Sequence, residues 1–399
     1  MKKTAIVSCY FIHNYGSVLQ AYATQQVLEK LNFENETIDV SGFIKKIRKK
    51  QYIYIIRSGI RSSIFRDRLG KAKNLIYKKI IRNNYTKNIR IRDIEFEKFI
   101  YNYINKSPKY KSLKELSEKC YDNYSTVVLG SDQLWLPANI AADYYTLNFV
   151  PKSVNSVAYA TSFGVSQIPD DVKKMAKKFL PRIKHISVRE ETGKKLVKEI
   201  TGQKVPVVCD PTLLFTGDEW MKIQEAKSMI KYKYIFCYFI GDAKKHREFA
   251  KKLRDKTGCK IVALTHIDCY MRNDEDYADY TPFDVGPDKF LNLIRNAEYI
   301  CTDSFHCTVF SILYQKKFFE FRRYINTDSK QSTNSRITTL FDLVGIDKDK
   351  NFLSGDEDID KCLEIQYDYD AIHNRLEIIR KSSYEYLIDA IDNKGSTSL

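Results

Sequence analysis

Nine cysteines are present but no CxxC pair. The spacing of a zinc ribbon or a thiol redox motif is therefore missing, and the scatter of the cysteines through apolar runs argues against a disulfide framework. That points to a reducing, intracellular setting. No apolar run approaches the ~20 residues that a membrane-spanning helix needs. The opening MKKTAIVSCYFI imitates a secretion signal, yet His13-Asn14-Tyr15-Gly16 stands where a longer apolar region and a cleavage site should follow. A soluble, cytoplasmic protein is the expectation. RNP, KH and zinc-finger patterns are absent too, so nucleic acid is not an expected partner, and no metal-ligand cluster is apparent.

Acidic residues are nearly absent from one stretch. Lys45 to Arg92 holds 17 Lys/Arg against one acid, Asp67, while the rest of the chain has 49 residues of each sign, so the whole net charge of +16 lies there. Interleaved Ile, Tyr, Phe and Leu make this stretch amphipathic rather than a plain polar tail. It fits a solvated helical insertion, a nucleic-acid surface or a patch resting on anionic lipid. Basic charge mixed with aliphatic bulk suits lipid better than nucleic acid, and a purely structural insertion stands level with the lipid reading.

At 399 residues, 43% of them hydrophobic, the chain exceeds the size of one core, which implies two domains. Thr4 to Phe11 reads as a buried strand. Asn14-Tyr15-Gly16-Ser17 then turns into a helix for which Ser17 and Gln20 make a capping-box pattern, and Glu36 to Val40 reads as the next strand. On its own, this turn is most simply a capped helix that binds nothing, since GxGxxG is absent. Further on, STVVLG, NSVAYATSFG, HISVRE and VPVVCD read as strands, followed by KYIFCYFIG, KIVALTH, EYICT and KFFEF, with amphipathic helical stretches between most of them. Such alternation predicts an α/β protein of two parallel, helix-wound sheets. The expected division is residues 1–210 with a basic insertion at 43–92, then 211–360 after the crossing at Asp210-Pro211-Thr212. Residues 361–399 form a C-terminal segment whose long helix packs back across the domains.

Ligands in such sheets sit beyond the carboxyl ends of the strands. Five polar clusters fall there: Asn14, Tyr15, Gly16 and Ser17; Gly130, Ser131, Asp132 and Gln133; Ser162, Phe163 and Gly164; Arg189 with Glu190; and Asp303, Ser304 and His306. Singly, each reads as a helix cap, an ion pair or a satisfied core histidine. Five at one edge are harder to explain by stability alone.

NYGSVLQAYATQ, GSDQLW, YATSFG, ISVREETG, CDPTLL and TDSFHCTVFSI follow one another in the order and approximate spacing of the polysaccharide pyruvyl transferase family, and the chain resembles that family over most of residues 1 to about 345. The resemblance implies a GT-B-like fold of two Rossmann-like domains facing across a cleft. It also implies transfer of the pyruvyl group of phosphoenolpyruvate to a sugar, usually as a cyclic ketal during cell-surface glycan synthesis. Arg189 and His306 fall on the family's motif arginine and histidine, and Arg336, in NSRITTLFDLVGI, on a third recurring pattern. Phosphoenolpyruvate presents a phosphate and a carboxylate, which suits the guanidinium forks of Arg189 and Arg336, with Ser304 beside them. A proton must reach the methylene carbon, and His306, oriented by Asp303, is the candidate carrier. The clusters at Asn14 to Ser17, Gly130 to Gln133 and Ser162 to Gly164 are candidates for substrate contacts. Phosphoenolpyruvate would be a co-substrate, with no other cofactor; the expected partners are a saccharide acceptor, lipid-linked or free, and an anionic membrane surface through residues 45–92 at the inner face of the cell membrane. A glycosyltransferase using a nucleotide sugar is the rival enzyme reading, and a non-catalytic glycan or membrane binder ranks third.

Overall fold

The computed structural model describes residues 2–59, 83–266, 270–323 and 334–392. The middle of the basic insertion (60–82), Cys269 and the last residues of the C-terminal segment (393–399) lie outside the described residues. Two five-stranded sheets, parallel throughout, organise the rest. The first contains β1 (Lys3–Val7), β2 (Asn35–Thr37), β3 (Tyr124–Leu129), β4 (Asn155–Thr161) and β5 (His185–Val188), in the order β2-β1-β3-β4-β5. The second contains β6 (Tyr234–Tyr238), β7 (Lys260–Leu264), β8 (Tyr299–Thr302), β9 (Lys317–Phe321) and β10 (Phe352–Leu353), in the order β10-β9-β8-β6-β7. Nearly continuous apolar strands are what sheets covered by helices on both faces require; every residue of β4 is buried.

In each sheet the first strand, β1 or β6, lies between the next two strands of the chain, so the strand order reverses there. A crevice opens there at the carboxyl ends of the strands. In the first sheet it is bounded by the segments after β1 and β3, in the second by those after β6 and β8. Several strands are shorter than their apolar runs predict, because the last residues leave the sheet to form these edges. VPVVCD is not a strand of its own. Only Val207 bridges to Val188, the Val188 N–H donating to the Pro206 carbonyl and the Val208 N–H to the Val188 carbonyl, after which the chain delivers Asp210 to the edge.

Three helices shape the first half: α1 (Tyr15–Lys30), α2 (Ile44–Gly59) and α3 (Asn83–Tyr103). The predicted Ser17–Gln20 capping box does not form. Asn14, itself extended, is the N-cap, its side chain accepting from the Ser17 N–H, because the helix already starts at Tyr15 and Ser17 lies within its first turn. Gln20 instead donates to the Ser17 carbonyl.

The two described parts of the basic insertion differ. Along α2, Phe43, Ile47 and the half-buried Ile44 and Tyr54 face the first domain, where Gln51 donates to Asn139 of the short helix α4 (Pro137–Ala142). Lys45, Lys46, Arg48, Lys49, Lys50, Tyr52, Ile56 and Arg57 are exposed on the other side. Arg92 of α3, counted by the charge pattern as part of the basic surface, is buried at 2% exposure. Its guanidinium donates to the carbonyls of Thr265 (2.7 Å) and Pro282 (2.9 Å) in the second half of the chain. With the Lys289–Glu95 ion pair (2.8 Å), this makes α3 a strut between the two halves.

Tyr15 serves the same junction. Its ring lies parallel to Phe290 of α5 (Pro287–Asn296) at 4.3 Å, and its hydroxyl donates to the Val285 carbonyl. The long last helix, α8 (Tyr369–Ile391), returns to the first sheet and the crossing segment. Asn155 donates to the Ala390 carbonyl, Arg380 to that of Leu213 and Tyr384 to that of Leu214. Between them lie α6 (Phe305–Leu313) and α7 (Ser335–Val344).

Candidate active site

A buried carboxylate, Asp210, gathers the first group of polar residues. Its Oδ2 accepts from Arg189 Nη1 (2.6 Å) and Ser131 Oγ (2.8 Å) and lies 3.7 Å from His306 Nε2, while Oδ1 accepts from the Thr212 backbone N–H and hydroxyl. Burial opposes a negative charge here. The nearby His306 imidazole, the Arg189 guanidinium and the hydrogen bonds from Thr212 outweigh it and hold the carboxyl well below the usual range.

Asp132 is the second hub. Its Oδ2 accepts from the Ser17 hydroxyl at 2.6 Å, its Oδ1 from the Gln133 N–H, and Arg189 Nη2 lies 3.8 Å away. It is likewise held charged against burial by Arg189 and His306. Asp132 (φ 81) and Ala160 (φ 52) both occupy the left-handed region, an uncommon conformation that side chains resist. At Ala160 the carbonyl accepts from Ser131 and the N–H bonds to Ser187, which hold the strained residue in place.

Gly16 is required by contact as well as by the turn. A Cβ placed on it would lie 1.9 Å from His306 Nδ1, so the start of α1 and the start of α6 touch across the two halves only because no side chain intervenes. His306 is 6% exposed, and its Nε2 has no hydrogen-bond partner among the described residues.

Phe305 organises a second group. The Arg189 guanidinium lies 4.5 Å from its ring centroid and that of Arg336, at the start of α7, 5.8 Å. Arg189 Nε and Nη2, Arg323 Nε and Arg336 Nε have no hydrogen-bond partner among the described residues. Burial, with repulsion from Arg189 and Arg323, lowers the Arg336 guanidinium to about 9. A cationic group destabilised this way is relieved by an anion.

The sequence-derived candidates divide on these distances. Asn14, Gly16, Ser17, Ser131, Asp132, Ser162, Arg189 and His306 converge, with Ser162 linked through its hydroxyl to Glu190, which faces Arg189 at 3.8 Å. Gly130 backs onto Gln20, and Gln133 packs on Gly164, whose φ of 65 suits glycine. Tyr15 and Phe163 sit in packing, the former at the junction and the latter against Trp135 at 5.1 Å. Asp303 does not orient His306. Its two oxygens accept from the Ile240 and Gly241 N–H groups (2.6 and 2.8 Å), closing the crevice of the second sheet, and the carboxylate facing His306 is Asp210. Ser304 is the N-cap residue of α6 without a side-chain cap bond. Asp210, Phe305 and Arg323 escaped the sequence reading as site residues. For Asp210 a signal existed, an acid ending the apolar run VPVVCD at the same sheet edge.

The sequence matches the family model described as polysaccharide pyruvyl transferase over residues 14–322. A search of curated proteins finds no match. Among solved structures, UDP-N-acetylglucosamine 2-epimerase from Rickettsia bellii is 11% identical with a TM-score of 0.53, over 100% of this chain and 98% of that one. A UDP-GlcNAc 2-epimerase from Methanocaldococcus jannaschii, in complex with UDP-GlcNAc and UDP, is 13% identical with a TM-score of 0.48, over 98% and 100%. Acinetobacter baumannii MurG is 10% identical with a TM-score of 0.40, over 98% and 100%. At these identities the likeness concerns the fold, which is the expected GT-B-like pair of Rossmann-like domains. No helix among the described residues is long and apolar enough to cross a membrane.

Proposed function

The chain belongs to the polysaccharide pyruvyl transferase family, and from that premise we propose that it moves the pyruvyl group of phosphoenolpyruvate onto a sugar of a cell-surface polysaccharide, or of its lipid-linked precursor, as a cyclic ketal. The supporting observation is the set of buried N–H groups of Arg189, Arg323 and Arg336 around Phe305, next to His306, that have no hydrogen-bond partner among the described residues. Buried donors without partners are rare in folded proteins and cost free energy. A small ligand bearing both a phosphate and a carboxylate would satisfy them at once.

The chemistry needs two steps. One sugar hydroxyl attacks C2 of phosphoenolpyruvate while the methylene carbon gains a proton and becomes a methyl group. A second hydroxyl then displaces phosphate from the same carbon and closes the ketal. His306, facing the Asp210 carboxylate, takes the proton of the attacking hydroxyl. Arg189 and Arg336 hold the donor's anionic groups. Phosphoenolpyruvate is consumed as a co-substrate and no further cofactor is invoked.

Incubating the protein with phosphoenolpyruvate and a panel of lipid-linked and aryl glycosides tests this directly. The expected result is release of inorganic phosphate together with an acceptor heavier by one pyruvyl ketal. Turnover of a nucleotide sugar, with phosphoenolpyruvate left intact, would replace this reading by glycosyl transfer.

A lipid-linked acceptor gives the exposed cations of α2 a purpose, since Lys45, Lys46, Arg48, Lys49 and Lys50 together face solvent beside Tyr52 and Ile56. Cations and apolar side chains on one helix face bind anionic bilayers, in a manner weakened by salt. Reversing those five charges to Glu should lower co-sedimentation with phosphatidylglycerol-containing vesicles about tenfold or more at low salt. It should slow reaction with a lipid-linked acceptor and spare a short soluble one. A wild-type protein that ignores such vesicles at low salt would end the membrane part of the proposal.

A further inference from the structure

Building on the pyruvyl-transfer reading, we propose that Glu320 is the acid that delivers the proton to the methylene carbon of phosphoenolpyruvate, leaving His306 to act on the sugar hydroxyls. Glu320 is the one acid in KFFEF, the otherwise apolar run of β9 apart from its first lysine. It is paired in register with Thr302 of β8 on one side and Phe352 of β10 on the other. An acid there faces a wholly buried environment; its exposure is 0%. It lines a small cavity with Asp303, Phe305, Arg323 and Arg336, so it shares the Phe305 ring with the group that contains Arg189 and His306.

Few partners hold its charged form. The Thr308 hydroxyl donates to Glu320 Oε2 and also lies 3.1 Å from the Ser304 carbonyl, which already accepts from the Thr308 N–H at 2.9 Å. That hydroxyl has one proton to give. Glu320 Oε1 has no partner among the described residues, and no ion pair to Glu320 is found among them. A buried carboxylate with no ion pair is costly, whereas a neutral carboxyl is not. Burial accordingly pushes Glu320 well above the usual carboxylate range, with Asp303 adding to the shift and Thr308, Arg323 and Arg336 opposing it. Cys307 and Tyr367 are the other titratable neighbours, and burial pushes both above their ordinary range, so neither brings a charge of its own to Glu320. A protonated acid in a cleft that binds an anionic enol ester is poised to give, not take, a proton at neutral pH.

The proton inventory closes. In the first step the attacking hydroxyl gives its proton to His306, its oxygen bonds to C2, and Glu320 protonates the methylene carbon, becoming a carboxylate in the cavity it shares with Arg323 and Arg336, whose Nε–H groups have no hydrogen-bond partner among the described residues. In the second step the other hydroxyl gives its proton to Glu320 as its oxygen replaces phosphate on C2. His306 gives its proton to the departing phosphate. Both side chains return to their starting forms, and one enol ester and one diol have become one ketal and inorganic phosphate.

Glu320→Gln keeps the shape and the bond to Thr308 but has no acidic proton. In the full-length protein, kcat should fall about 100-fold, while the dissociation constant for phosphoenolpyruvate, measured by equilibrium dialysis, stays within about threefold. Loss of activity on the alkaline side of the wild-type kcat profile should also disappear in the residual activity of the variant. If a folded Glu320→Gln protein keeps kcat within about threefold of wild type, Glu320 is not the acid. If donor affinity falls as far as kcat and the alkaline limb is unchanged, it is a packing residue. A wild-type protein that neither binds nor consumes phosphoenolpyruvate would instead overturn the pyruvyl-transfer reading, and this assignment with it.

Discussion

His306→Ala should leave a folded protein whose turnover is lower by about 10²- to 10⁴-fold, the usual loss when a positioned proton carrier is removed. The imidazole is 6% exposed, touches the bare backbone of Gly16 through its Nδ1 edge, and turns Nε2 towards Asp210 at 3.7 Å without forming a hydrogen bond among the described residues. Truncation therefore breaks no hydrogen bond of the ring among the described residues. Asp210 keeps its bonds from Arg189, Ser131 and Thr212, so the hub survives. The space left beside Gly16 has the shape of the lost ring, and added imidazole should recover part of the rate. Thermal unfolding measured alongside kcat separates the two effects. A folded variant with near-normal turnover would remove His306 from the mechanism.

Much of this site was legible because its residues obey a rule of position. Asn14, Ser131, Asp132, Ser162, Arg189 and His306 each follow a buried apolar run, and the ends of parallel strands are where polar side chains can meet without disturbing the sheet. Alternating period likewise announced both sheets. What escaped was decided by tertiary contact. Tyr15 stands inside a polar motif, yet its large ring is spent on Phe290 at the junction. Asp303 has the right neighbour in sequence, but ahead of the extended N-cap residue Ser304 its side chain reaches the N–H groups after β6 rather than His306. Arg92 belongs to a basic stretch and still ends buried, because two carbonyls across the junction accept its fork. Glu320 did carry a local signal. A lone acid near the end of an apolar strand is out of place unless it is neutral, paired or used.

Asp210→Asn should cost both stability and activity, because no orientation of an amide satisfies the groups around this side chain. The carboxylate accepts from four donors, two on each oxygen: Ser131 Oγ and Arg189 Nη1 on Oδ2, and the Thr212 N–H and hydroxyl on Oδ1. Asparagine offers one acceptor oxygen and an NH2 group that only donates. If the oxygen stays on Thr212, the NH2 confronts Arg189. Ser131 can adapt by donating only to the Ala160 carbonyl, 2.9 Å away, but a guanidinium cannot accept. Arg189 would then rest on Asp132 and Glu190, each 3.8 Å distant. Breaking a buried pair costs about 3–5 kcal/mol, and these two remaining anions place the expected loss near ~3 kcal/mol. Turnover should fall about 100-fold, since Arg189 and the setting of His306 shift together. The pH dependence has a definite sign. Asp210 is held below its ordinary range in the folded protein, so its contribution is complete above about pH 4 and fades as pH falls towards its folded value. Urea midpoints of wild type and variant should therefore differ most at neutral pH and converge in acid. A variant with the wild-type midpoint and rate at neutral pH would show that Asp210 is not the hub of the site.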